Sequence, residues 1–312
     1  LHPEVKIPTT IGYVSFYQIS YMNSGKMTNK GWEFRVDAVP FQNKDWRVGV
    51  YFNIAHNENK ITEMPDNYIE ENYTFGNGNY AYRREEGRPM GSFYGYRYKG
   101  VYQNKDATYA RDIEGNVMKD ISGNAIVMRN GSYTVAPGDA IYEDVNHDGV
   151  INQYDIVYLG NSNPRLTGGA GLNVSYKQFK LSAIFYGRYG QDVVNATRLN
   201  NESMRGIDNQ STAVLRRWRN EGDQTDIPRA LYGEGYNTLG SDRFVEDASY
   251  LRLKSLSFTY RLPKKAIQRW GFNNIDVYVT GYNLFTWTKY TGQDPEVKTE
   301  NTYARDTATT PA

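Results

Sequence analysis

The sequence predicts an all-β fold of antiparallel strands that each keep one face wet. Two runs near the C-terminal end alternate with period 2. Leu256, Phe258, Tyr260 and Leu262 oppose Ser255, Ser257, Thr259 and Arg261. Likewise Ile275, Val277, Val279, Gly281, Phe285 and Trp287 oppose Asp276, Tyr278, Thr280, Tyr282, Thr286 and Thr288. Successive strand side chains point to opposite faces, so each run has one apolar and one polar wall. Composition agrees: 28 Tyr and 29 Gly accompany a hydrophobic content of only 39%, too polar for a sheet buried on both faces. The connections also sort by length. Alternation alone fits a soluble sandwich as well as a transmembrane barrel.

Taken in order, IGYVSFYQISYM (11–22) alternates poorly and reads as a strand tail or a loop, and NSGKMTNKG (23–31) reads as a turn. Trp32, Phe34, Val36 and Ala38 then alternate with Glu33, Arg35 and Asp37. After the polar turn QNKD (42–45), Trp46, Val48, Val50, Phe52 and Ile54 alternate with Arg47, Gly49, Tyr51 and Asn53, which makes a hairpin. Residues 59–165 are long and irregular, with short β pieces expected around Phe93 to Tyr102. A second hairpin sets Ala170, Leu172, Val174 and Tyr176, then Phe179, Leu181, Ala183 and Phe185, around a turn at Lys177 and Gln178. Residues 191–247 are again long and polar, with a helical turn expected at RRWRNEGD (216–223). PKKAIQRW (263–270) reads as a short basic helical turn between the last two strands.

Counting six strands down and up puts the tight turns at 42–45, 177–178 and 263–273 on one side. The long loops 59–165 and 191–247 then fall on the other. Outer-membrane barrels segregate loop lengths in this way, and a soluble jelly roll has no reason to. The pattern favours the barrel and keeps Phe93–Tyr102 in a loop.

Lys and Arg (36) nearly cancel Asp and Glu (35), so no global field points to nucleic acid. The chain has no Cys, which excludes disulfides and thiolate metal sites. No run of about 18 apolar residues exists, so no transmembrane helix is expected. LHPEVKIP at the start has no signal-peptide pattern.

DASYLRLKSLSFTYRLPKK (247–265) followed by VYVTGYNLFTWTKYTGQDPEV (277–297) resembles the C-terminal region of the SusC/RagA family of TonB-dependent outer-membrane transporters of Bacteroidota. The resemblance extends to GDAIYEDVNHDGVINQYDIVYLGNSNP (138–164) and NSGKMTNKGWEF (23–34), and so over nearly the whole chain. It implies that residues 1–312 are the C-terminal part of an antiparallel transmembrane β-barrel of roughly 22 strands. The plug domain, the signal peptide and the closing strand would lie outside this chain. It also implies import of an oligosaccharide or oligopeptide, powered by TonB through a region outside the chain. A SusD-like lipoprotein lid would cap the outside, and a homodimer of such pairs is a further expectation. Outer-membrane lipid would surround the barrel. No organic cofactor and no enzymatic activity are expected. Two other classes stay open: a soluble calcium-dependent glycan-binding β-sandwich module and a carbohydrate-active enzyme.

The sharpest motif is DVNHDGVINQYD. Asp144, Asn146 and Asp148 stand at alternate positions, Gly149 permits a sharp turn, Val150 offers its carbonyl, and Asp155 stands at position twelve. Such a loop can wrap six to eight oxygens around Ca²⁺. Asp in place of Glu at twelve shortens the last arm. The same residues also form metal-free turns. Glu70, Glu71, Glu85, Glu86, Asp139 and Glu143 could supply acid–base pairs, but nothing pairs them across one bond. His2, His56 and His147 are scattered. Tyr68, Tyr73, Phe75, Tyr80, Tyr82, Phe93, Tyr94, Tyr96 and Tyr98 could stack on sugars or a peptide, or could pack within the loop. Trp32, Trp46, Phe285 and Trp287 suit an interfacial aromatic girdle or an ordinary β core.

Overall fold

A computed structural model of the chain describes residues 4–11, 14–21, 25–64, 73–74, 80–82, 84–296, 299–300 and 303–306. Six strands make its frame: Lys26–Gln42 (β1), Trp46–Glu63 (β2), Leu166–Tyr176 (β3), Phe179–Tyr189 (β4), Tyr250–Arg261 (β5) and Asp276–Thr288 (β6). Each pairs antiparallel with the next in chain order, an up-and-down sheet.

The register turns the alternation into continuous rows. Val36, Phe52, Ala170, Phe185, Leu253 and Phe285 oppose one another across all six strands. So do Phe41, Val48, Val174, Leu181, Phe258 and Val279. This face is not covered by the rest of the chain: Trp32, Phe34, Phe285 and Trp287 are between 51% and 60% exposed. A face this apolar and this open is the lipid-facing wall of a transmembrane barrel. The opposite face is polar and internally bonded. Ser182 Oγ donates to Asn173 Oδ1 at 2.8 Å, and the hydroxyls of Ser257 and Thr280 lie 2.9 Å apart.

The short turns follow local chemistry. Asn43 Oδ1 accepts the N–H groups of Asp45 and Trp46, and Lys177 takes a left-handed φ of 50°. Between β5 and β6 the basic stretch forms one helical turn, Lys264–Ile267, and a 3-10 turn, Gln268–Trp270, ending at Gly271 with φ 80°. This is the predicted helical turn.

Two expectations fail. Most of NSGKMTNKG is not a turn, because Lys26–Gly31 continue β1 and pair with β2 as far as Glu63. This upper part of the hairpin is mostly polar, with Met27 opposite the buried Ile61, so no alternation marks it. The helical turn expected at 216–223 lies earlier, at Thr212–Arg216. Beyond it Asp223 Oδ2 accepts the N–H groups of Arg219 and Asn220, which closes a non-helical turn. Within the aromatic stretch 11–22, Val14–Tyr21 is a strand paired antiparallel with Glu4–Ile11.

The two long connections fold into one packed lobe. One core combines Tyr96, Tyr102, Met128, Tyr142 and Ile151 of the first with Tyr236 and Leu239 of the second. Another combines Tyr80 and Phe93 with Val194, Leu199 and Phe244. Ser92–Gly95 and Tyr98–Val101 are strands of this lobe and not of the barrel sheet, as expected. Within the lobe, Asp112–Asn116 and Asp120–Asn124 form two similar Asx-closed hairpins eight residues apart. They hang on a closed ring of backbone bonds: Ala110 N–H to Ile126 O, Ile126 N–H to Met118 O, and Met118 N–H to Ala110 O.

Candidate functional site

Three constellations lie off the lipid face. The first is on the polar wall. Arg252, only 4% exposed, donates to Thr286 Oγ1 at 2.9 Å, to Glu296 Oε2 at 2.9 Å and to Asp294 Oδ1 at 2.5 Å. Lys254 Nζ reaches the same Glu296 oxygen at 2.7 Å. Gln191 Nε2 donates to the carbonyls of Ala248 and Pro295. The segment after β6 is thereby pinned to the inside of the wall. Burying a guanidinium demands this many partners. Sequence patterning did not identify the clamp, since its two halves stand 42 residues apart.

The second constellation joins the halves of the lobe. Asp139 is fully buried. Its carboxylate accepts from Arg229 Nε at 2.7 Å, Tyr133 Oη at 2.7 Å, the Ala136 N–H at 2.8 Å and Asn237 Nδ2 at 3.2 Å. Asn237 Oδ1 in turn accepts the N–H of Ala140. A carboxylate so fully bonded holds its neighbours in place and has no free lone pair for acid–base work.

The third is the Asp/Asn loop. Asp144 Oδ1 and Asn146 Oδ1 both accept the N–H of Asp148, and Asp144 Oδ2 accepts that of Gly149. Asp148 Oδ2 and the Val150 carbonyl share the side-chain amide of Asn152. His147 and Gly149 take φ values of 57° and 78°, which curl the loop, and the His147 ring turns to the Arg111 carbonyl. Asp155 is buried, with its oxygens on the N–H groups of Val145 and Asn152. Burial holds its carboxyl above the usual range. The donor types at 144, 146, 148 and 150 fit a hard cation such as Ca²⁺, which would be held by their oxygens. Asp155 braces the loop through backbone N–H groups. Among the described residues no three acidic or imidazole side chains gather closely enough to hold a metal together.

The remaining candidates have structural partners. Glu85 accepts from Tyr94 Oη, Glu86 from the Met64 N–H, and Glu143 pairs with Arg97 and Lys99. Burial opposes ionisation of Glu143, and those two cations outweigh it, so its carboxyl titrates below the usual range. Tyr80, Phe93, Tyr94 and Tyr96 are buried in the lobe, which is the packing reading. Tyr68, Phe75, Glu70, Glu71 and His2 lie outside the described residues, as do the side chains of Tyr73 and Tyr82. Trp46 packs on Tyr176 in a tilted pair, ring centroids 4.3 Å apart, at the short-turn end of the wall. Trp32, where the apolar part of β1 begins, and Trp287, near the end of β6, stand at the other edge of the apolar band, so the aromatics bracket it as a girdle does.

The chain matches no family model. It is 32% identical over 286 residues to TonB-dependent receptor P3 of Formosa agariphila, covering 89% of this chain and 26% of that protein. It is 29% identical over 303 residues to TonB-dependent receptor SusC of Bacteroides thetaiotaomicron, covering 94% and 26%. Among solved structures, the RagAB peptide transporter superposes with a TM-score of 0.64 at 26% identity, over 90% of this chain and 28% of that one. The chain thus spans about a quarter of the length of the curated relatives it matches.

Proposed function

Because the chain belongs to the SusC/RagA type of TonB-dependent transporter, we propose that its parent protein imports large nutrients, oligosaccharides or oligopeptides, across a bacterial outer membrane. The observation that carries this reading is the six-stranded wall: apolar, uncovered rows on one face, a hydrogen-bonded polar face on the other, and both long connections gathered into one lobe. The relatives named as TonB-dependent receptors and the RagAB peptide transporter support it. In this reading the lobe faces outward and meets both the nutrient and a SusD-like lipoprotein lid. TonB acts through a region outside the chain. Pairs of transporter and lipoprotein form homodimers, and Ca²⁺ braces the 144–155 loop.

The deciding experiment is fractionation of the intact parent protein with and without detergent, with analysis of what co-purifies. Recovery only from detergent-solubilised outer membrane, beside a lipoprotein of similar abundance, is the expected result. Full recovery in the soluble fraction would end the transporter reading.

A further inference from the structure

The inner face of the wall carries two guanidiniums side by side, one fully paired and one not. Tyr186 opposes Arg252 and Arg188 opposes Tyr250 across β4 and β5, so the two cations and the two phenols lie on opposite diagonals. The Tyr186 and Tyr250 ring centroids are 6.2 Å apart, and the Arg252 guanidinium stands 5.3 Å from the Tyr250 ring. Arg252 pairs with Asp294 and Glu296, and Lys254 shares Glu296. Arg188 is half-buried, and its Nε donates to the neutral Tyr186 hydroxyl at 3.2 Å. Among the described residues no carboxylate pairs with it. Asp247 and Lys289 border the same cavity as Arg188 and cancel in charge, and Asp247 accepts the Ser249 N–H and hydroxyl. The Tyr250 hydroxyl is closed off from solvent and also has no hydrogen-bond partner among the described residues.

The surroundings leave room for the missing acceptor. Toward β3 the facing residues are small, Thr167 opposite Arg188 and Gly169 opposite Tyr186, and the Asn53 amide stands across Gly169. Arg188 is the last residue but one of β4. It therefore stands at the lobe end of the wall, on the face turned from lipid, where a nutrient enters in the transporter reading. With Nε taken, its free edge is the Nη1–Nη2 fork, which matches the two oxygens of a planar carboxylate. Arg188, Arg252 and Lys254 together face only Asp294 and Glu296, so one positive charge is left for a monoanion. A phosphate dianion would need a second free cation, and Arg252 and Lys254 are already paired. We propose that Arg188 binds a carboxylate of the imported nutrient, with the Tyr250 hydroxyl turning to donate to the same group. The proposal deepens the transporter reading and rests on it. The carboxylate belongs to a uronate of an oligosaccharide or to an acidic oligopeptide, one chemistry from two sources.

The test uses the intact parent protein in mild detergent and two pairs of probes. One pair is trigalacturonate and its methyl ester, and the other is triglutamate and triglutamine, both blocked at their termini. Calorimetry gives the ratio of acid to neutral affinity within each pair. The expected result is a ratio of about tenfold or more in at least one pair, and the pair that shows it names the source. Arg188→Gln should bring that ratio close to one, Arg188→Lys should keep part of it, and Tyr250→Phe should lower it by roughly twofold or more. The heat-modifiable gel shift of a closed barrel checks that the variants fold. No acid preference in either pair would overturn the proposal, and would mean that a carboxylate from elsewhere in the parent protein already holds Arg188. An acid preference that survives in Arg188→Gln would also overturn it, as would equally tight binding of a sulfated trisaccharide. Full recovery of the parent protein in the soluble fraction overturns the transporter reading instead, whatever the ratio.

Discussion

The ring of Tyr51 occupies the space that a side chain on Gly171 would need. The two are register partners on the polar wall, and a Cβ on Gly171 would fall 1.9 Å from Tyr51 Cε1. The Arg35 guanidinium stands 6.0 Å from the same ring. Gly171→Ala must therefore displace the ring, at a cost of about 1–3 kcal/mol. Gly49→Ala, whose nearest neighbour would be 3.9 Å away, should leave stability within about 0.5 kcal/mol. Urea midpoints of the refolded parent protein measure both. An equal loss in the two variants would show that the ring is not what selects glycine.

Charge placement separates the two walls. Phe52→Arg, on the apolar face near mid-height, should destabilise the barrel by roughly 2–4 kcal/mol. Ser182→Arg, on the polar face one strand from Ser257, should cost well under that. Equilibrium folding into vesicles reads the difference, and a reversed order would invert the assignment of inside and outside.

Arg229→Ala would leave the Asp139 carboxylate buried without its cation. Breaking a buried pair from one side costs about 3–5 kcal/mol, and here the cost should fall on the lobe. Hydrogen exchange at Ala140 and at position 229 should accelerate, because those amides bond across this joint. Exchange in β3 and β4 should not change. Accelerated exchange in the barrel strands would mean that lobe and wall unfold together.

Burial raises the phenols of Tyr96, Tyr98 and Tyr102, each to about 12. A folded-state value above the unfolded one means that the unfolded chain loses its proton first. Stability from these groups is whole below pH 10 and is lost as pH rises from 10 to 12. Alkaline titration should release the lobe in that window, seen as tyrosinate absorbance rising together with protease sensitivity of 96–102. Ring resonances of Tyr96, Tyr98 and Tyr102 that shift at pH 10 with the lobe still protected would contradict the burial.

Calcium binding to the 144–155 loop predicts a saturable calorimetric signal that Asp144→Ala and Asp148→Ala abolish together. Asp155→Asn should instead weaken the loop with or without Ca²⁺, because its oxygens hold backbone N–H groups. Full binding by the double variant would remove the metal from this loop.

Much of the wall was legible because its physics is periodic. Every residue from Trp46 to Ile54 has the face that its parity gives. The upper part of the first hairpin was not, since Lys26–Gly31 and Asn57–Glu63 are polar except for Met27 and the buried Ile61 and leave no period-2 trace. The lobe was less legible still. Its core is assembled from single residues such as Tyr96, Ile151 and Tyr236, brought together by loops rather than by strands. The eight-residue repeat of Asp-Ile-x-Gly-Asn at 112–116 and 120–124 was the available sign of its twin hairpins. Asp139 and Arg229 look like ordinary loop charges until the fold puts them 2.7 Å apart.

The irregularities at Ala38/Phe41 in β1 and at Leu253/Ser255 in β5 have a consequence for how such walls vary. In β5 the lipid-facing positions are odd as far as Leu253 and even from Leu256 onward. Lys254 is the inserted residue, and its ammonium is kept on the inner side by Glu296. The strand is thus written in two phases, like a text with one compensated frameshift. Deleting Lys254 would make its odd–even lettering uniform, leave every apolar residue on the lipid side and remove the ammonium that Glu296 holds. A hybrid barrel that exchanges part of β5 must be joined on one side of Lys254 or must carry the insertion with it.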